Sequence, residues 1–171
     1  EKADIVLTSY MINELPEQER EKAVLKLWQA TDKLMVVIEP GTPEGFKNIL
    51  NIRNLIKEQG GYIVAPCCCN GECPIKENDW CAFYARVARS SIHRQAKGGN
   101  LGYEDEKFSY IAFSKTPVEI TGERILRHPQ INSGFVKVKL CTADGIQEKT
   151  YSKKDGEIYK KTKKLDAGEK I

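Results

Sequence analysis

Five of the six cysteines in this chain fall within fifteen residues, at Cys67, Cys68, Cys69, Cys73 and Cys81, and the sixth, Cys141, stands far downstream. Convergent thiolates repel one another, so three or four of them are costly to hold together unless a metal neutralises them. A disulfide framework would spread its cysteines through a short secreted chain. Here they crowd one segment of a lysine-rich sequence in which we read no signal peptide. The first expectation is therefore a thiolate-bound metal centre, and any fold for the chain must present this loop to it.

Spacing narrows the ligands. Five residues separate Cys67 from Cys73 and seven separate Cys73 from Cys81. Structural zinc sites pair ligands on a tight C-x2–4-C knuckle, which these three lack. The wider spacing suits an irregular loop wrapped around a larger cluster on four thiolates. Cys141, at an expected strand end, is the fourth ligand and would clip the downstream segment onto the upstream one. Cys68 and Cys69 are surplus to four ligands and read as non-ligating loop thiols. The residues alone leave iron–sulfur and zinc both open. The C-x3-C-x2-C triad of radical enzymes is absent.

The rest of the chain supplies an α/β pattern. Asp4 to Tyr10 and Leu34 to Ile38 read as buried strands, the second a continuous apolar run of the kind covered on both faces of a parallel sheet. Pro16 opens a helix with acids in its first turns and Val24, Leu25, Leu27 and Trp28 as its apolar face. Thr42-Pro43 is an N-cap and first-turn pair for a helix running to about Gln59. Tyr62 to Ala65 is a third strand leading into the cysteines. A helix is expected from Phe83 to about Ala96, and a strand from Phe108 to Phe113. Strand and helix alternate, as in a sheet with right-handed crossovers. Beyond Pro117, Phe135 to Leu140 alternates, and Ala143-Asp144-Gly145 turns it into a hairpin with Ile146 to Tyr151. We divide the chain into an α/β part at 1–117, with the cysteine loop at 66–82, and a small β appendage at 118–171 with a lysine-rich end. The strand signal at Ile5-Val6-Leu7 begins almost at once, without an initiator Met, which reads as a start inside a larger domain.

Charge points to a partner. The net charge of +3 is modest, and no apolar run approaches the roughly 20 residues that span a bilayer, so no membrane partner is expected. Arg86, Arg89, His93, Arg94 and Lys97 lie in a segment without acids, and on one helix Arg86, Arg89 and His93 would share a face suited to phosphates. Lys153, Lys154, Lys160, Lys161, Lys163 and Lys164 extend the basic character.

Several motifs together carry a family resemblance. They are Cys67-x5-Cys73-Pro74, Asp79-Trp80-Cys81-x-Phe83, Arg86-x-x-Arg89, His93-Arg94, the run from Leu101 to Tyr110, and Leu140-Cys141-Thr142. The chain resembles, from Asp4 to about Lys164, the methyltransferase-like family of the mitochondrial small ribosomal subunit and its bacterial relatives. That resemblance implies a class I (Rossmann-like) methyltransferase fold, S-adenosylmethionine in the full-length protein, and a four-iron–four-sulfur cluster on Cys67, Cys73, Cys81 and Cys141. It also implies association with small-subunit rRNA or the small ribosomal subunit, in a bacterial-type cytoplasm or the mitochondrial matrix. At the carboxyl edge of the first strand, Ser9, Tyr10 and Glu14 are the candidates to face cofactor and substrate base. Two departures stand out. Cys68 and Cys69 occupy the family's Pro and His positions. No strand is followed by the glycine-rich turn that admits the cofactor. The chain is thus expected to be the C-terminal half of the methyltransferase sheet, from about its fourth strand, followed by the β appendage. The leading reading is an rRNA-associated assembly protein. The alternatives are an active rRNA methyltransferase and a zinc-stapled nucleic-acid-binding module without enzymatic activity.

Overall fold

A computed structural model describes residues 1–76, 78–98 and 101–171, with the backbone alone of Lys97. The first half builds a sheet from β1 (Ala3–Ser9), β2 (Thr31–Pro40), β3 (Tyr62–Ala65), β4 (Phe83–Ala88) and β5 (Tyr103–Ser114). The strand order is β1-β2-β5-β3, with β4 also on β5. β1 and β2 pair in parallel, whereas β5 runs against β2, β3 and β4. Helices α1 (Glu17–Ala30) and α2 (Pro43–Glu58) make the β1–β2 and β2–β3 crossings. Thr42 caps α2 as expected: its hydroxyl accepts from the Gly45 amide at 3.1 Å, and Pro43 fills the first position.

Alternation in β2 places Met35, Val37 and Glu39 against the helices, with Val24 and Trp28 of α1 and Ile49, Ile52 and Ile56 of α2. Ile63, Ile111 and Phe113 complete this core. The opposite face differs from the expectation of a sheet covered on both sides. Leu34, Val36 and Ile38 are only half-buried, and Ile5 and Leu7 of β1 are 63% and 62% exposed. Both helices pack on one face, touching each other, so the second face lacks a helical layer among the described residues. No helix is long and apolar enough to cross a membrane.

The largest correction falls on residues 83–96. Instead of one helix, the chain forms β4, then a short α3 (Ser91–Lys97) capped by the Ser90 hydroxyl. The aromatic and β-branched residues Phe83, Tyr84 and Val87 favour a strand, and β5 offers an edge in register, Phe83 opposite Phe108 and Ala88 opposite Tyr103. The same pairing locates the cysteine loop. β3 leaves β5 with Ala65 opposite Ala112, and β4 rejoins it with Phe83 opposite Phe108. Residues 66–82 are thus an excursion from one edge of β5, pinned at both ends on the same strand.

The second half forms a sheet on β8 (Phe135–Thr142). β6 (Arg124–Ile125) and β7 (Gln130–Asn132) pair with it, as does β9 (Gly145–Ser152) across the expected hairpin, where Thr142 faces Gly145. Ile125, Val136, Val138, Leu140 and Tyr159 make its small core, with Tyr159 supplied by α4 (Glu157–Thr162).

Gly45 shows how tightly the turn from β2 into α2 is drawn. A Cβ there would stand 2.0 Å from the Pro40 carbonyl oxygen, a backbone atom that cannot yield. Gly45→Ala should destabilise the protein by about 1–3 kcal/mol or more through overpacking. A urea titration would show it as a lowered midpoint with an unchanged slope.

Candidate metal centre

The excursion from β5 is folded by its own side chains. Trp80 Nε1 donates to the Gly41 carbonyl at 3.0 Å, tying the loop to the end of β2. The Cys81 carbonyl accepts from Ser109 Oγ at 2.7 Å, and Asn70 Oδ1 accepts from the Ile63 amide at 3.3 Å. Asp79 accepts from Lys139 Nζ at 2.7 Å and from Arg127, both in the second half. Asp79 and Trp80 are thus the hinge pins that hold Cys81 at the joint between the sheets. Cys141 reaches the same joint from β8, where it pairs with Arg124.

All six cysteines line one apolar cavity at this joint, with Phe46, Ile49 and Arg53 of α2 among its other walls. The four expected ligands are electrostatic neighbours. Burial pushes the Cys67 thiol up, and Cys73 adds to the effect. Burial raises Cys81 strongly, reinforced by Cys67 and Cys73. Cys141 is raised by its hydrogen bond with Cys68, then by burial, with Cys67 and Cys81 adding further. Ionising Cys67, Cys81 or Cys141 is thus disfavoured in the metal-free joint, and a bound cation would oppose that effect. Among the described residues, no three Cys, His, Asp or Glu side chains stand as a closed cage for a metal ion. The sulfurs line walls rather than converge on a point.

The surplus cysteines separate. Cys68 is buried and its Sγ lies 3.0 Å from the Cys141 carbonyl oxygen, so it ties the loop to β8 directly. The shared hydrogen bond with Cys141 draws the Cys68 thiol down to about 7. Cys69 is half-buried and close enough to Cys67 to raise it.

Two arginines escaped the sequence reading. Arg124 Nε donates to the Pro66 carbonyl at 2.9 Å and Nη1 to the Gly168 carbonyl at 2.7 Å. Arg53 is 2% exposed, donates to the Gly71 carbonyl, lines the cavity beside Cys67, and keeps a buried Nε without a partner. The signal for Arg53 was present: it sits four residues after Ile49 and three before Ile56, inside the apolar stripe of α2. Buried thiols with a buried guanidinium short of an acceptor fit an anionic, thiolate-bound metal group.

The other expected sites fare differently. Ser9 ends β1, and Tyr10 and Glu14 lie just beyond it, where Tyr10 adopts a left-handed φ of 55°. The buried Glu39 carboxylate holds this turn by accepting the amides of Ile12 and Asn13 at 3.2 and 3.1 Å, and burial raises its pKa. The basic group does not share a helix face. Arg86, on β4, makes a bidentate pair with Asp105 at 2.7 and 2.8 Å and lies over the Tyr103 ring. Arg89 bonds Glu104 at 3.0 Å, and His93 stands 3.7 Å from the same carboxylate. The acids missing from their own segment arrive across the ladder, from β5. Arg94 is exposed, and the side chain of Lys97 lies outside the described residues.

The fold and this joint define a class: an α/β sheet with one antiparallel insertion, bound through a thiol-lined cavity to a small β unit. Residues 1–171 match the family described as mitochondrial small ribosomal subunit Rsm22, and the chain belongs to that family. It is also similar to the human protein named ribosome assembly protein METTL17, mitochondrial, 27% identical over 158 residues that cover 83% of this chain. Those residues cover 33% of the human protein, so the chain spans about a third of that relative's length.

Proposed function

We propose that this chain is the cluster-bearing part of a mitochondrial protein that assembles the small ribosomal subunit. Family membership supplies the ribosomal setting. The observation that carries the cluster reading is the cavity lined by all six cysteines, five from one loop and one from the other sheet. Cys67, Cys73, Cys81 and Cys141 would hold a four-iron–four-sulfur cluster, which when bound cross-links the excursion of β5 to β8. The chain's own residues do the rest: Trp80, Asp79 and Arg124 position the loop, and the apolar walls keep water from the sulfurs. Anaerobically purified protein should be brown, with broad visible absorption and roughly four irons per chain. A colourless, zinc-loaded protein would replace this reading with a zinc staple.

For the rRNA contact the second half is the stronger candidate, because Arg86 and Arg89 of the expected group pair with Asp105 and Glu104. Lys153, Lys154, Lys160, Lys161, Lys163 and Lys164 are all exposed around α4, and their scaffold is ordered. Asp155 accepts from the Ser152 amide and hydroxyl at 2.6 and 3.0 Å, while buried Tyr159 and Thr162 seat α4 on the β core. Six exposed lysines, one of them paired with Glu157, suit a phosphate backbone. Changing Lys153, Lys154, Lys161 and Lys164 to Glu should weaken binding to a small-subunit rRNA fragment by at least tenfold and flatten its salt dependence. Unchanged binding in a fluorescence titration would remove this corner from the interface.

S-adenosylmethionine is the second reading. Tyr10's left-handed backbone at the carboxyl edge of β1 is the kind of strain found near bound ligands. Calorimetry with the full-length protein decides whether Ser9, Tyr10 and Glu14 face that cofactor.

A further inference from the structure

The packing of the joint accounts for Arg124, whose guanidinium meets two carbonyls. It accounts for Arg53 only in part, through its one bond to the Gly71 carbonyl. A side chain of that length between Ile49, Ile52 and Ile56 could be a methionine at no polar cost. Instead α2 buries a full positive charge, with one N–H unmet, against a wall of thiols. Among the described residues no carboxylate pairs with it. Burying a guanidinium this way is unfavourable unless an anion faces it.

We propose that Arg53 is the internal counter-cation of the cluster, facing it from the wall that also carries Cys67 and thereby setting the cluster's reduction potential and its lifetime in air. The inference rests on the cluster reading given above. An iron–sulfur cluster on four thiolates is net negative and becomes more so when it takes up an electron. A fixed positive charge beside the cluster, with an N–H free to face it, therefore stabilises the reduced state more than the oxidised one, which raises the potential. The same positive charge lowers the electron density at the nearby sulfurs and makes them poorer targets for oxidation. The carbonyl of Gly71 fixes the guanidinium in place, so the effect does not require any movement of α2.

The test uses the full-length protein purified without oxygen, as wild type, Arg53→Met and Arg53→Lys. Iron per chain, a redox titration followed by electron paramagnetic resonance, and the rate of bleaching in air are read for each. Arg53→Met should keep its iron. At a fixed poise its ratio of reduced to oxidised cluster should fall about tenfold, equivalent to 59 mV for a one-electron couple, and it should bleach several-fold faster. Arg53→Lys, which keeps the charge, should recover part of both effects. A residue that only packs would shift neither potential nor its rescue by lysine. Wild-type potential and bleaching rate in Arg53→Met overturn the inference while leaving the cluster reading intact. Wild-type protein without iron overturns the cluster reading itself. If Arg53→Met does not load, Arg53→Gln is titrated in its place, and a wild-type potential there overturns the inference equally.

Discussion

Cys141→Ser should leave the anaerobically purified protein with almost no iron and should loosen the second sheet from the first. Cys141 is the sulfur that the β unit brings to the cavity, from a strand 60 residues beyond Cys81 in sequence. Its oxygen replacement is a poor ligand for iron, and three thiolates from one loop do not close a site that spans two sheets. Iron content should drop from roughly four per chain to well below one, with loss of the visible absorption. Structural metal sites contribute on the order of 10 kcal/mol of folding free energy in small domains. A thermal melt should therefore show the β unit unfolding earlier. Cys67→Ser, Cys73→Ser and Cys81→Ser should behave alike, whereas Cys69→Ser should keep its iron. Cys68→Ala should fall between, because it removes a tie to the Cys141 carbonyl without removing an expected ligand. A brown, iron-replete Cys141→Ser protein would sink the assignment.

Local elements were largely legible because local signals decided them. The Thr42-Pro43 cap, the Tyr62–Ala65 strand and the Ala143-Asp144 turn each follow from residues within a few positions of one another. The segment after Cys81 was misread because its fate is decided 20 residues away. Basic residues at helical spacing suggested a helix, but β5 offers a ladder edge and carries Asp105 and Glu104 to meet Arg86 and Arg89. Periodicity cannot register a partner strand. The same holds for the site. The cysteine spacing selected four sulfurs that the fold brings to one cavity, yet no local signal marked Arg124. Its significance comes from carbonyls at Pro66 and Gly168, in segments that meet only in the folded chain.

That position makes Arg124→Met the most informative change outside the cysteines. Arg124 lies opposite Cys141 in the β6–β8 ladder, and its side chain crosses the joint to the carbonyl of Pro66, the residue before Cys67. A second bond to Gly168 holds the C-terminal segment, which also pairs back onto Ile125. One guanidinium thus braces both ends of the expected ligand set. Methionine fills similar space but leaves both carbonyls without their charged donor. With each charge-assisted bond contributing about 1.5–3 kcal/mol, the metal-free protein should lose about 3–6 kcal/mol in urea denaturation. The metal-loaded protein should lose less, since ligand bonds then hold the loop in place of the arginine. Arg124→Lys, able to reach one carbonyl at a time, should recover about half of the loss. A change below about 1 kcal/mol in the metal-free protein would show that packing, not these two bonds, closes the joint. In that case Asp79, which binds Arg127 and Lys139 from the second half, becomes the brace to test next.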